Sequence, residues 1–131
     1  MTTTIFSQII DGDIPSHKIY EDDKVFAFLD IHPTSQGHTL VVPKNPVEFL
    51  WDLPEADYQA VMRASQRIAK HLRTTLKVPY VGEQVVGVDV PHAHVHLIPF
   101  TSVDEFRDQP DMTIEPDHAA LAALAEKLRL A

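Results

Sequence analysis

Three histidines alternate with apolar residues in the segment 91–99, Pro-His-Ala-His-Val-His-Leu-Ile-Pro, and this pattern constrains the fold more than any other in the chain. Successive side chains of a β-strand point to opposite faces, so the pattern predicts a strand with three imidazoles on one face. The histidines are His92, His94 and His96, and the apolar residues on the other face are Ala93, Val95 and Leu97. Burying three imidazoles costs free energy. We therefore expect this strand to carry a functional site.

The composition is that of a single globular domain. The 131 residues are 44% hydrophobic and 23% charged, which suffices for one core, and we assign one domain to residues 1–131. No apolar run approaches the roughly 18 residues that a membrane span requires. The first residues, Met-Thr-Thr-Thr-Ile-Phe, lack the basic region and apolar core of a signal peptide. These features predict a cytoplasmic protein.

Charge and cysteine content narrow the chemistry and the partners. Eleven Lys and Arg stand against 19 Asp and Glu, a net charge of -8, and no basic stripe is visible. Such a surface repels polyphosphate, so neither nucleic acid nor a membrane is an expected partner. The absence of cysteine removes disulfides, thiolate metal sites and cysteine nucleophiles. Histidine, aspartate and hydroxyl groups must do the chemistry.

The apolar periodicity predicts strands first, then a long helix, then strands and a final helix. A helical turn is expected at 7–11, a hairpin from Lys18–Glu21 and Val25–Leu29, and a third strand at 39–42. Apolar residues at helical spacing predict a long amphipathic helix between Pro54 and Lys77.

The remaining elements complete the fold class. The last two strands are predicted at 84–90 and 92–98, and a C-terminal helix from about Asp117 follows a surface loop at 101–116. Asp52 and Glu55 are predicted to form a capping box at the start of the long helix. This order of elements favours an α+β fold with an antiparallel sheet.

Two chemistries suit the histidine row. Alternate histidines can bind zinc and leave a position open for water, although residues two apart on a strand converge on one ion with difficulty. Alternatively, the central His94 attacks an electrophile, and phosphorus suits imidazole best because water can resolve the phosphohistidine that forms. Neighbouring imidazoles and backbone N–H groups would then hold the phosphate.

The sequence resembles the histidine triad (HIT) family of nucleotide-binding proteins. Residues 92–98, His-Ala-His-Val-His-Leu-Ile, match the family signature, in which three histidines alternate with apolar residues. Residues 5–15, 20–31 and 37–44 resemble the other family segments in order and spacing. The resemblance covers most of residues 4–100, the expected core of the domain, and leaves 101–131 as a C-terminal extension.

This resemblance implies a five-stranded antiparallel sheet with one long helix and a C-terminal helix, extended in a homodimer to a continuous ten-stranded sheet. It implies hydrolysis or transfer at the α-phosphate of a nucleotide through a covalent nucleotidyl-histidine, without a metal or other cofactor. The chain is most similar to the branch that acts on purine nucleoside phosphoramidates. A catalytically weak nucleotide-binding adaptor and a zinc-dependent hydrolase are the alternatives.

The resemblance also implies a role for individual residues. His94 would be the nucleophile, and His96 would donate a hydrogen bond to the phosphate and the leaving atom. His92 and His38 would support and orient the surroundings of the nucleophile. Asp30 would accept the ribose hydroxyls, as an ionised carboxylate can. Six apolar residues match the positions that enclose the base: Ile5, Phe6, Ile9, Ile14, Phe28 and Ile31.

Several residues depart from the family pattern. Thr4 and Ser7 occupy positions where many relatives have a cysteine pair, and Pro46 stands where a histidine is common, so a structural zinc site is not expected. Val88 replaces a customary glutamine. Asp89 occupies a position where a hydroxyl often contacts phosphate, and its charge would repel that group. We expect Asp89 either to point away from the phosphate or to pair with an imidazole.

Overall fold

A five-stranded antiparallel sheet organises residues 3–130, the part of the chain that the computed structural model describes. The strands lie in the order β1-β2-β3-β5-β4. Their bounds are Lys18–Glu21 (β1), Val25–Leu29 (β2), Thr39–Pro43 (β3), Tyr80–Gln84 (β4) and Val95–Phe100 (β5). Strand β5, which carries His96, therefore lies between β3 and the edge strand β4.

Helices cover both faces of the sheet. Their bounds are Ile5–Ile10 (α1), Glu55–Leu76 (α2), Val103–Phe106 (α3) and His118–Leu128 (α4), with a 3₁₀ turn at Leu50–Asp52. None of these helices is long and apolar enough to cross a lipid bilayer. Thr4 caps α1 and exchanges hydrogen bonds with Ser7 in a capping box, which explains why so short a helix forms.

Two apolar clusters form the core. The larger cluster lies under α2 and α4 and includes the inward side chains of every strand except β4; among them are Val61, Ile68, Leu72, Leu121, Leu128, Val95 and Leu97. The smaller cluster lies under α1 and consists of Phe6, Phe26, Phe28, Leu40 and Val42. Because β2 and β3 are covered on both faces, all their residues are buried and their sequences read as apolar runs.

The predicted α+β class with its antiparallel sheet is confirmed, and so are the hairpin and both long helices. The last two strands differ from the prediction, since β4 occupies 80–84 rather than 84–90, and β5 starts only at Val95. Gly87 turns the chain with a φ of 79°, and Pro91 has no N–H. The next two N–H groups bond to Val90 and Val47 instead of a ladder partner.

Two smaller expectations also differ. The capping box at the start of α2 is wrong, because Asp52 lies in the 3₁₀ turn and Pro54 occupies the N-cap without a side-chain bond. Glu55 and Asp57 still place negative charge in the first turn, where the helix dipole favours it. The loop predicted at 101–116 contains the short helix α3, which approaches the site described next.

Candidate active site

The sheet register places His96 at the centre of the site. On β5 it pairs with Leu40 of β3, which in turn pairs with Phe28 of β2. On its other side His96 pairs with Gln84 of the edge strand β4. The alternation predicted for 92–97 is confirmed, since Ala93, Val95 and Leu97 belong to the larger core. His96 therefore lies between the apolar residues Leu40 and Phe28 on one side and the edge strand β4 on the other.

A backbone hydrogen bond orients His94. Its Nδ1 lies 2.7 Å from the carbonyl oxygen of His92, and a carbonyl only accepts, so Nδ1 carries the proton. The lone pair of the neutral ring is therefore on Nε2. Phe6 packs edge-on against the ring, with centroids 5.0 Å apart, and the residue is only 5% exposed. His94 thus presents a bare nitrogen in a fixed direction, as a nucleophile requires.

A chain of hydrogen bonds fixes the tautomer of His96. The N–H of Thr34 donates to Nδ1 of His38 at 3.0 Å, so His38 carries its proton on Nε2. That Nε2–H donates to Nδ1 of His96, also at 3.0 Å. His96 must then carry its own proton on Nε2. The backbone N–H of Thr34 thus determines, through His38, that His96 has a hydrogen-bond donor at Nε2. The ring centroids of His96 and His94 are 5.1 Å apart.

His92 is held from both ends and serves as an anchor. Its Nε2–H donates to the carbonyl of Pro43 at 2.7 Å, and its Nδ1 accepts from the hydroxyl of Thr4 at 2.8 Å. The ring is completely buried. Thr4 also caps α1, which carries Phe6, so one hydroxyl joins this helix to the histidine row. The capping pattern of Thr4 and Ser7 was readable in the sequence, but the contact with His92 spans 88 positions and was not.

Burial keeps the flanking histidines neutral. It lowers the pKa of both His38 and His96 to about 4, and it lowers the pKa of His92 as well. For His96 the neighbouring rings of His38 and His94 add to this effect. The rings thus remain uncharged near neutral pH, as their hydrogen bonds require.

Asp30 lies beside the His38 and His96 pair. Its Oδ2 is 3.6 Å from Nε2 of His38, and its Oδ1 accepts the N–H of His32 at 2.8 Å. Burial raises the pKa of this carboxyl, although the hydrogen bond from His32 and the nearby imidazoles oppose the increase. The carboxylate is therefore held at the rim of the site with acceptor capacity left over.

The geometry bears on the metal hypothesis as well. His92 has hydrogen bonds at both ring nitrogens, so the histidine row does not offer three free ligands. Within residues 3–130, the groups close enough to share an ion are Asp30, His38 and His96, whose ligand atoms lie within 4.8 Å. A metal on Nε2 of His38 would require its proton on Nδ1, facing the N–H of Thr34. The arrangement fits a hydrogen-bond relay better than a metal centre.

A cleft of about 660 Å³ opens beside His96. Asp30, His38 and His96 line one part of it, and Asp89, residues 106–110 and Met112 line another. Phe106 holds the latter segment in place by packing on Phe100, with ring centroids 5.2 Å apart, and on Gly82. A Cβ at Gly82 would lie only 2.2 Å from the Phe106 ring, so glycine is required for this contact. We call residues 106–110 and Met112 the lid. The sequence analysis did not find it because its position depends on long-range packing.

The six apolar residues predicted to enclose the base do not share one environment. Phe6 and Phe28 are buried and touch edge-on, with centroids 5.6 Å apart, and Ile9 packs against their cluster. Ile5 and Ile31 are instead 49% and 41% exposed. The first group thus belongs to the core under the site, whereas the exposed pair has apolar surface left to contact a ligand.

Comparisons with known proteins agree with this geometry. Residues 11–103 match the sequence profile of the HIT domain family. An adenosine 5′-monophosphoramidase of Saccharomyces cerevisiae is 38% identical over 96 residues, covering 72% of this chain and 61% of the yeast protein.

Solved structures have the same fold. A Hit-like protein from Bartonella henselae superposes with a TM-score of 0.82 at 32% identity, covering 97% of this chain and 95% of that one. A histidine triad nucleotide-binding protein from Sulfolobus tokodaii superposes with a TM-score of 0.77 at 26% identity, covering 95% and 88%. The five-stranded arrangement found here is therefore common to all three.

Proposed function

Since this chain belongs to the HIT domain family, we propose that it is a nucleotide-binding hydrolase that cleaves nucleoside 5′-phosphoramidates through a covalent histidine intermediate. The observation that carries the proposal is the complementary protonation of two adjacent rings. His94 offers a bare Nε2, and His96 offers an Nε2–H. The similarity to the yeast phosphoramidase supports hydrolase activity, and the similarity to the Sulfolobus nucleotide-binding protein supports nucleotide binding.

The proposed reaction has two displacements at phosphorus. Nε2 of His94 forms a bond to the α-phosphorus while the bond from phosphorus to the leaving nitrogen breaks, and the amine departs with a proton that it takes from solvent. The phosphorylated ring is cationic, and its Nδ1–H remains bonded to the carbonyl of His92, which stabilises that charge. Water then attacks phosphorus, releases the nucleoside monophosphate and restores neutral His94.

His96 acts as a hydrogen-bond donor in this scheme. A neutral imidazole does not readily lose its remaining proton, so we assign its Nε2–H to a phosphate oxygen that gains negative charge in the transition state. His38 is a positioning residue because it fixes the His96 tautomer. His92 positions the carbonyl that holds His94, and Asp30 is proposed to accept ribose hydroxyls at the rim of the cleft.

The substrate would lie across the sheet. We propose that the nucleoside occupies the side of His96 that faces β3 and β2, where Asp30 follows β2 and Ile31 exposes apolar surface. The leaving group would then face β4 and the lid. We also propose that the protein is cytoplasmic and forms a homodimer by pairing the edge strand β4 of two copies, since Tyr80 of this strand is 56% exposed. Light scattering of the purified protein should then give twice the mass of one chain.

The direct test is release of AMP from an adenosine 5′-phosphoramidate by protein treated with a chelator. We expect turnover to survive the chelator, because every proposed step uses the chain's own nitrogen atoms. Loss of turnover that added zinc restores would favour the zinc-dependent hydrolase. AMP binding without turnover would favour the adaptor.

A further inference from the structure

Asp89 lies on the proposed leaving-group side of the cleft and has no role in the proposed reaction. It lies in the segment between β4 and β5. It lines the same cleft as His96, and its negative charge acts on that ring, raising its pKa against the larger effect of burial. Asp89 is thus an exposed residue of the cleft whose charge acts on His96.

The charge of Asp89 lacks a partner within residues 3–130. Its carboxylate forms neither a hydrogen bond nor an ion pair there, in contrast to Asp22, which accepts a hydrogen bond from Tyr20. Arg107 and Asp108 also line the cleft. Because they are adjacent in the sequence and have opposite charges, their electrostatic potentials partly cancel at longer distances. Asp89 therefore presents to this side of the cleft a carboxylate that no ion pair within residues 3–130 neutralises.

Such a charge must act on the substrate. A carboxylate beside a phosphate raises the free energy of binding unless a cation lies between or beyond them. The phosphate itself is anionic, and Arg107 of the same cleft forms no ion pair with Asp89, so the cation that we consider here is one on the leaving group. An ammonium or guanidinium on the departing amine would reach Asp89 while the scissile nitrogen stays next to the phosphorus.

We propose that Asp89 is a specificity-determining residue that selects phosphoramidates whose leaving amine bears a second, positively charged group. This inference rests on the proposed function, because it names the leaving group of that reaction. Asp89 would hold the cation by a charge-assisted hydrogen bond and would disfavour leaving groups that bear a carboxylate or phosphate. The selectivity would belong to this chain's own residue and not to the histidine row.

The test uses three adenosine 5′-phosphoramidates whose leaving amines each contain five carbons, made from pentylamine, 1,5-diaminopentane and 5-aminopentanoate. Wild-type protein should show kcat/KM about tenfold higher for the cationic than for the neutral compound, which suits one charge-assisted hydrogen bond at a partly solvated site. The anionic compound should be the poorest. In Asp89→Asn the cationic preference should fall to about twofold or less. Asp104→Asn, which changes an exposed carboxylate of α3 outside the cleft, is the matched control and should retain the tenfold preference.

A binding measurement separates this inference from the proposed function. His94→Ala should bind all three compounds without cleaving them, and calorimetry then gives the ratio of their dissociation constants with and without Asp89→Asn. A cationic preference that survives Asp89→Asn, or a wild-type preference for the anionic compound, overturns the assignment. If wild-type protein cleaves none of the compounds, the proposed function fails, while the binding ratio still decides the role of Asp89.

Discussion

Replacing His94 by alanine or asparagine is expected to lower kcat for phosphoramidate cleavage by at least about a thousandfold. Both changes remove Nε2, the nitrogen that attacks phosphorus. Asparagine retains an N–H that can still donate to the carbonyl of His92, so this variant separates the loss of the nucleophile from the loss of the hydrogen bond. Steady-state release of AMP measures the effect.

Controls make this result specific. Alanine also leaves a gap against Phe6, so both variants should be checked by thermal unfolding, and the asparagine variant should remain close to wild type. His17→Asn changes a partly exposed histidine that forms a hydrogen bond with His118 away from the site, and its turnover should stay within about twofold of wild type. Rapid quenching with labelled substrate should trap an acid-labile nucleotidyl group on wild-type protein only. Undiminished turnover in His94→Asn would contradict nucleophilic catalysis by this residue.

The second large effect is a loss of stability at mildly acidic pH. Burial lowers the pKa of His38 and His96 to about 4 in the folded protein, whereas an unfolded histidine titrates near its model value of 6.5. Between these pH values the unfolded chain binds more protons than the folded one. The free energy of unfolding is therefore highest above pH 6.5 and falls as the pH is lowered towards 4, by about 1.4 kcal/mol per pH unit for each fully coupled histidine.

Other groups change the size of this effect but not its direction. His96 is only partly buried, so solvent screening reduces its contribution. The raised pKa of Asp30 has the opposite sign, because the folded protein then holds a proton on this carboxyl more readily than the unfolded chain does. We expect a net loss on the order of a few kcal/mol between pH 6.5 and 4, measured by urea unfolding at a series of pH values.

A variant identifies the groups responsible. In His38→Asn the side-chain oxygen can still accept the N–H of Thr34, but the titrating ring is gone, so the slope of stability against pH should decrease by roughly 1.4 kcal/mol per pH unit. Gln36→Asn changes an exposed, non-titrating neighbour and should retain the wild-type slope. A slope that is unchanged in His38→Asn would show that this histidine is not held neutral by burial.

The sequence by itself determined the class of the fold and predicted the residues of the candidate site. Alternation at 92–97 assigned three imidazoles to one face because strand geometry has a period of two, and helical spacing identified α2 because apolar residues must share one stripe. The full apolar runs of β2 and β3 were equally readable. Such patterns are local, and local geometry is what a sequence displays directly.

Only the tertiary structure decided how each histidine is held and which ring nitrogen carries the proton. Their tautomers depend on Thr34, Pro43 and Thr4, which act through backbone atoms or from up to 88 positions away. The pKa of His38 depends on burial, a property of the packed molecule. The lid depends on the contact of Phe106 with Gly82, which no period in the sequence encodes. The hydrogen bonds and protonation states at this site depend on distances between residues that are far apart in the sequence, and only folding brings those residues together.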